Sequence, residues 1–232
     1  MHGIASREYA AIDTQRSSNA LTRALLRCGI LAGPLYIIVG AIQVLTRLGF
    51  DVRYNVLSQM ALGDLGWIQV ANFVTSGLLV IACAIGMRRV LRSGRAATWG
   101  PRLIAVYGGS LIGAAIFGAD PGFGFPPGTP AGPPSTMSAH GLLHFASAGV
   151  GFFSLIAACI ILARRYSNLG RRMWAAYSAA TGLFFLVAFV GTASGAGLVA
   201  FTLALWVAIV LAWVWLSALA ADLIGLLPPR LA

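Results

Sequence analysis

The sequence predicts an all-α fold, a polytopic integral membrane bundle of six transmembrane helices with both termini in the cytoplasm. The first observation behind this prediction is composition: hydrophobic residues make up 59% and charged residues 9% of the 232 residues, and the mean hydropathy is +0.85. A soluble domain of this size cannot solvate such a surface. The second observation is a series of six apolar stretches, and the third is the one-sided distribution of arginine between them.

The apolar stretches are interpreted as helices because crossing the hydrocarbon core of a bilayer takes roughly 20 apolar residues in helical conformation. In chain order they cover residues 25–46, 67–87, 103–119, 141–163, 173–192 and 198–220. The third stretch is the shortest and is interrupted by glycines, so its ends are the hardest to place. The predicted domains are a cytoplasmic tail over 1–23, the six-helix transmembrane domain over 24–221 and a short cytoplasmic tail over 222–232.

The arginines predict the orientation of these helices. Loops that stay in the cytoplasm retain basic residues, whereas exported loops lose them. With the amino terminus inside, only Arg47 and Arg53 fall outside, and the inside set is Arg7, Arg16, Arg23, Arg27, Arg88, Arg89, Arg92, Arg95, Arg102, Arg164, Arg165, Arg171, Arg172 and Arg230. Arginines placed between apolar runs determine topology and do not form a nucleic-acid-binding stripe. We therefore expect a plasma-membrane protein whose partner is membrane lipid.

Three loops face outward in this arrangement. Residues 47–66 are long enough to hold a short interfacial helix, residues 193–197 form a tight hairpin, and residues 120–139 are rich in proline, which disfavours regular helix. No soluble domain is present in this prediction. Any function is therefore expected in the bundle and in these loops.

Polar side chains gather at the outward ends of the predicted helices, and polar groups in a bilayer are costly enough to make each one a functional candidate. Asp120 precedes the helix-stopping Pro121, and His140 and His144 lie four residues apart on one helical face. The prediction has three groups: catalytic residues Asp120, His144 and Ser58; substrate-binding residues Arg53, Gln69 and Asn72; and metal ligands His140 and His144.

The chemistry of this cluster has open alternatives. Two histidines at this spacing can reach one divalent metal such as zinc, with Asp120 as a third ligand or as a partner that orients one imidazole. The alternatives are a hydrogen-bonded His–Asp network with a structural role and proton transfer without a metal. Arg53 either forms an ion-pair set with Asp51 and Asp64 that positions its loop, or binds an anionic head group.

Three segments carry a resemblance to a known family: RLGFDVRYNVLSQMALGDLGWIQVANF, FGADPGFGFPPGTP and SAHGLLH. In this order they resemble the bacterial and archaeal membrane family called domain of unknown function 998, over most of the chain. The resemblance implies a compact helical membrane bundle and assigns no activity. Ser58, Asp120, His140 and His144 are also similar to the Ser, Asp and H-x-x-x-H residues of the alkaline ceramidase and adiponectin-receptor-like membrane hydrolases, which differ in having seven helices and a third histidine.

These features predict a membrane-embedded enzyme for a lipidic or isoprenoid-like substrate, working by metal-dependent hydrolysis or by acid catalysis from Asp120. A transporter or a solute- or pH-sensing protein is the competing class. Transporters place binding groups near the bilayer midplane and often show internal repeats, and neither feature is found here. A structural subunit without catalysis is the third class. No nucleic-acid partner is expected, and no pattern predicts an oligomeric state.

Overall fold

The computed structural model describes residues 2–134, 136–194 and 198–228, with side chains from residue 15 onward. It is all-helical over these residues, which confirms the predicted fold class. The helices are α1 (His2–Thr46), α2 (Gly66–Val90), α3 (Arg95–Ile116), α4 (Ala139–Asn168), α5 (Arg172–Ala193) and α6 (Val199–Gly225), and a short 3₁₀ helix covers Leu57–Ala61. Arg230 and residues 195–197 of the predicted hairpin lie outside the described residues.

The chain is a multi-pass membrane protein. Five helical segments in the described part are long and apolar enough to cross a membrane, namely Gln15–Thr46 of α1 and the whole of α2, α4, α5 and α6. Helix α3 is not among them because Arg95, Pro101 and Arg102 occupy its first turns and lower its apolar character. The predicted count of six spans therefore stays a prediction.

Several helix ends differ from the predicted ones. Helix α1 begins at His2 and includes the polar segment interpreted as a tail, and α6 continues to Gly225. Helix α3 runs from Arg95 to Ile116, so it begins earlier and ends earlier than the predicted stretch 103–119. Hydropathy marks only the apolar part of a helix, whereas the backbone hydrogen bonds continue into polar residues at either end.

The six helices form a closed ring. Each one packs against its neighbours in the chain, and α6 packs against α1. Short connections over residues 91–94 and 169–171 force consecutive helices to run antiparallel. Helices α2 and α3 approach closely where Gly77 and Gly108 face each other, because a Cβ on either residue would collide with the carbonyl of the other.

The ring has two different ends. The proline-loop end consists of residues 47–65, 117–134, 136–138, 194 and 198. The arginine end consists of residues 91–94, 169–171 and 226–228, where Arg88 donates to the Ala97 carbonyl and Arg165 to the Ser93 carbonyl. The Arg23 guanidinium donates to the Pro228 carbonyl, which places the polar part of α1 beside the end of α6.

The interior towards the arginine end is tightly packed. Met87, Leu162, Trp215 and Leu219 are all fully buried there, and the Trp215 indole N–H donates to the Ser178 hydroxyl at 3.0 Å. Large apolar side chains on the outside of the ring are exposed, as a surface in contact with lipid requires. Among the described residues, a cavity lies towards the proline-loop end of the ring.

Candidate functional site

The loop that follows α1 is fixed by a half-buried arginine. Arg47 donates from Nη1 to the Met60 carbonyl at 2.9 Å and from Nη2 to the Leu62 carbonyl, at the end of the 3₁₀ helix. Its guanidinium lies 5.2 Å from the centre of the Phe125 ring in the second loop. Burial lowers the pKa of Arg47 from its ordinary value, and the charge of Asp64 opposes this shift.

Two buried amides join the first loop to the second. Asn55 donates to the Gly122 carbonyl and to Gln59 Oε1, both at 3.2 Å, and Gln59 donates to the Asp120 carbonyl at 3.3 Å. The Trp206 indole N–H donates to the Asn55 carbonyl at 3.2 Å, which adds α6 to this network. The sequence prediction missed both amides, although two amides four residues apart in a segment of helical spacing were a signal for them.

The Asp120 carboxylate lies against the first turn of α4. Its Oδ2 accepts the Ser138 backbone N–H at 2.9 Å, and the Ser138 hydroxyl in turn accepts the Gly141 N–H at 2.9 Å. A Cβ at position 141 would overlap the carboxylate, so this contact explains the glycine of the H-G-x-x-H segment. Oδ1 of Asp120 has no hydrogen-bond partner among the described residues.

His144 lies one turn further along α4 and is oriented by a backbone group. Its Nδ1 is 2.8 Å from the Phe117 carbonyl oxygen at the end of α3. Because a carbonyl oxygen can only accept, Nδ1 carries the proton in this hydrogen bond, and in the neutral ring Nε2 keeps its lone pair. The side chain is buried, and no described residue binds Nε2.

Gln59, Asp120 and His144 line a cavity of about 520 Å³ inside the ring at the proline-loop end. All six helices contribute to its wall. Its polar side chains include Ser58, Gln59, Ser110, Asp120, His144, Thr192 and Thr202. Eight aromatic rings make up much of the remainder: Tyr36, Tyr54, Phe73, Tyr107, Phe123, Phe145, Phe152 and Phe189. Among the described residues that line it there is no arginine, and Asp120 supplies the one carboxyl group.

The cavity wall continues onto the outer surface of the ring through apolar side chains. Met137, Phe145 and Leu198 line the cavity and are 62%, 45% and 54% exposed. They lie where α4 and α6 begin. An apolar entrance at this level fits a ligand that arrives from lipid.

A family model described as "Protein of unknown function (DUF998)" matches residues 30–222. The chain belongs to the DUF998 family. This range covers every residue that lines the cavity, and it confirms the resemblance drawn from the three sequence segments. The comparisons with curated proteins and with solved structures return no match.

The three residues predicted as catalytic in this DUF998 protein come together in the structure. Ser58 on the 3₁₀ helix, Asp120 in the second loop and His144 on α4 all line the one cavity. Asp120 does not orient His144, because the imidazole Nδ1 is bound to the Phe117 carbonyl. The catalytic roles themselves stay predictions.

Arg53 is placed differently from these three. Its Nε lies 3.0 Å from both Asp51 carboxylate oxygens, its Nη2 lies 2.6 Å from Oδ2, and its side chain is 62% exposed. This pairing holds the pKa of the Asp51 carboxyl below its ordinary value. Of the predicted ion-pair set, the structure contains the pair of Arg53 with Asp51. The charge of Asp64 instead opposes the lowering of the Arg47 pKa by burial.

Gln69 and Asn72 are buried between α1 and α2 and do not line the cavity. Gln69 Oε1 accepts from Gln43 at 2.8 Å and from Asn72 at 3.3 Å, and Ser76 donates to Asn72 at 3.4 Å. These contacts are a hydrogen-bond network within the bundle wall. A substrate-binding role for the two amides stays a prediction.

His140 and His144 have different surroundings in the described structure. His140 is exposed, and its ring meets the Phe117 ring edge to face at 6.0 Å. No group of three His, Cys, Asp or Glu side chains suited to a metal ion occurs among the described residues. The metal site and the zinc cofactor stay predictions.

Proposed function

We propose that this DUF998 protein is a membrane-embedded enzyme that takes a single-chain lipidic substrate into the ring and transfers a proton at its polar end. The observation that carries the proposal is the composition of the cavity wall: Ser58, Asp120 and the unbound Nε2 of His144 meet inside otherwise apolar and aromatic surroundings. Small-molecule sites typically combine an apolar pocket with a few convergent polar groups.

The dimensions of the cavity support a substrate of this kind. Its volume of about 520 Å³ lies within the roughly 300–1,000 Å³ range of small-molecule pockets. The packed interior around Met87 and Trp215 favours a pocket with one entrance rather than a channel that passes through the bundle. The substrate chain would occupy the aromatic interior, and its polar end would meet the groups at the proline-loop end.

His144 is the proposed proton acceptor. The Phe117 carbonyl holds its Nδ1 proton, which orients the ring and leaves Nε2 to accept a proton from the substrate or from water. Ser58 contributes a hydroxyl to the same wall and has no hydrogen-bond partner among the described residues. Asp120 contributes a carboxylate oxygen that is free to accept from the substrate.

The test compares His144→Ala with His140→Ala. His140 lies on the same helix and is exposed, so its variant is a matched control for loss of an imidazole. We expect cells producing the wild type and His140→Ala to share a lipid profile by mass spectrometry that differs from cells without the protein. His144→Ala should weaken this effect by at least about a hundredfold, the lower end of the range for an acid–base group.

The outcome that contradicts the proposal is a His144→Ala protein that is as abundant and as thermostable as the wild type and leaves the lipid profile unchanged relative to it. An equal loss of the effect on the lipid profile in both histidine variants would also contradict the proposal, because His140 does not line the cavity.

We also propose that all six helices cross the plasma membrane, with both termini in the cytoplasm and the proline-loop end outside. Helix α3 has 22 residues, which span about 33 Å at 1.5 Å per residue, and it packs between two apolar spans in the ring. The arginines at the opposite end support the orientation.

Introduced cysteines test this orientation in a Cys28→Ser background, since Cys83 and Cys159 are buried. Ala131→Cys in the second loop should react with a membrane-impermeant maleimide in intact cells, and Ser93→Cys at the arginine end should react only after permeabilisation. The reverse pattern would contradict the orientation.

A further inference from the structure

We infer that the polar end of the molecule bound in this cavity is a protonated amine, so that the ligand is a single-chain lipid amine. The inference rests on the proposed function and narrows its substrate class. Among the described residues, the cavity wall includes one carboxylate and no arginine. A carboxylate that is not paired with a cation favours a cationic ligand where the surroundings have a low dielectric constant.

The free hydrogen-bonding atoms on the wall point to the same chemistry. Asp120 Oδ1 and His144 Nε2 have no partner among the described residues, and both are acceptors when the imidazole is neutral. An ammonium group supplies three N–H donors and no acceptor. A phosphate or carboxylate head would instead place further acceptors against Asp120 Oδ1 and His144 Nε2.

Both arginines of the proline-loop end are occupied elsewhere. Arg47 is bound to the carbonyls at the end of the 3₁₀ helix, and the charge of Arg53 is balanced by both oxygens of Asp51. Neither lines the cavity. An anionic head group therefore has no free cation to pair with among the described residues of the wall. A cationic head group is not repelled there by an unpaired arginine.

Aromatic faces at the same end of the cavity favour a cation as well. Tyr54 and Phe123 belong to the two loops and lie nearly parallel, at an angle of 17° and a centroid distance of 6.1 Å. Both line the cavity, and Phe123 is three residues from Asp120. Ammonium groups are attracted to aromatic faces, although one face of Tyr54 already lies 5.5 Å from Arg53.

The test uses three photoreactive probes with one alkyl chain and different heads: a primary amine, an alcohol and a carboxylate. Each is incorporated at equal membrane concentration into nanodiscs of net-neutral lipid containing the full-length protein. In the wild type we expect the amine to label cavity peptides about tenfold more than the alcohol, as a charge-assisted hydrogen bond implies, with the carboxylate lowest.

Asp120→Asn keeps an oxygen that can accept the Ser138 N–H and removes the charge. It should remove the preference for the amine, so that the amine and the alcohol label the cavity to similar levels. Asp64→Asn is the matched control, because Asp64 is an exposed carboxylate at the same end, and it should keep the wild-type preference.

The outcomes separate the two proposals. Strong labelling by alcohol and amine alike in the wild type would overturn the amine inference and leave a lipid-binding cavity in place. Absence of cavity labelling by all three probes would overturn the proposed function together with the inference. The wild-type ratio alone decides the inference if Asp120→Asn fails to fold.

Discussion

Two aspartates lie at opposite ends of the ring and have different surroundings. Asp222 at the arginine end accepts from Nη1 and Nη2 of Arg171, and it accepts from the Tyr166 hydroxyl at 2.8 Å. Arg171 also lies over the Tyr166 and Trp174 rings. Asp120 at the proline-loop end accepts one backbone N–H from Ser138 and pairs with no cation among the described residues.

This difference separates a structural carboxylate from one available to a ligand. Asp222 joins α6 to the ends of α4 and α5, and all its hydrogen-bonding capacity is directed at the protein. Asp120 keeps one oxygen unbound on the wall of a cavity. Both residues are acids near a helix end, so the distinction depends on which groups the fold brings to each.

Asp222→Ala should have one of the two largest effects on stability. It leaves the Arg171 charge without its partner and removes the acceptor of the Tyr166 hydroxyl, and the Asp222 and Arg171 side chains are 13% and 37% exposed. We expect a loss of about 1–3 kcal/mol, reduced from the value for a fully buried pair because Arg171 is partly solvated. Thermal unfolding in detergent, followed by tryptophan fluorescence, measures it.

Arg172→Gln is the control for Asp222→Ala, because Arg172 is the exposed neighbour of Arg171. It should leave the unfolding midpoint nearly unchanged. Similar losses for the two variants would show that general charge at this end, and not the Asp222 pairing, determines stability.

Gly141→Ala tests the contact that positions Asp120. The added methyl group would overlap the carboxylate, so we expect a loss of about 1–3 kcal/mol in the free energy of unfolding. In an Asp120→Ala background the same substitution should cost much less, because the overlapping group is gone. Unfolding midpoints of the single and double variants give the coupling.

Gly149→Ala on the same helix is the matched control, since nothing lies within 4 Å of a Cβ at that position. It should be neutral or slightly stabilising, because alanine is the better helix former. A loss equal to that of Gly141→Ala would contradict the proposed contact.

Asp51→Asn should have the smallest effect. Arg53 holds the pKa of Asp51 below its ordinary 3.8, so the pairing stabilises the fold above that pH and its contribution disappears as the pH falls through the lowered value. Exposed ion pairs contribute little. The wild type and Asp51→Asn should therefore differ slightly at pH 6 in thermal unfolding and converge as the pH falls through the lowered pKa of Asp51. A difference that grows on acidification would contradict the assignment.

Much of the fold could be predicted because the relevant signals are local. Each apolar stretch predicts its own helix through length and hydropathy. The H-G-x-x-H and D-P segments placed Asp120 and His144 in one predicted site, and both residues line the cavity. Asn55 and Gln59 were missed because their partners lie in another loop. Gln69 and Asn72 were grouped with the site because helical spacing gives the face of a residue without giving what packs against that face.

The sequence by itself determined that this chain is an all-helical membrane protein with polar side chains gathered at the ends of the helices, since apolar length and polar position are properties of each segment. Only the tertiary structure decided that α6 closes the ring on α1, that Asp222 meets Arg171 and that Asp120 meets Gly141. These contacts join residues on different elements. They depend on how the helices approach and cross, and no local pattern along the chain specifies that geometry.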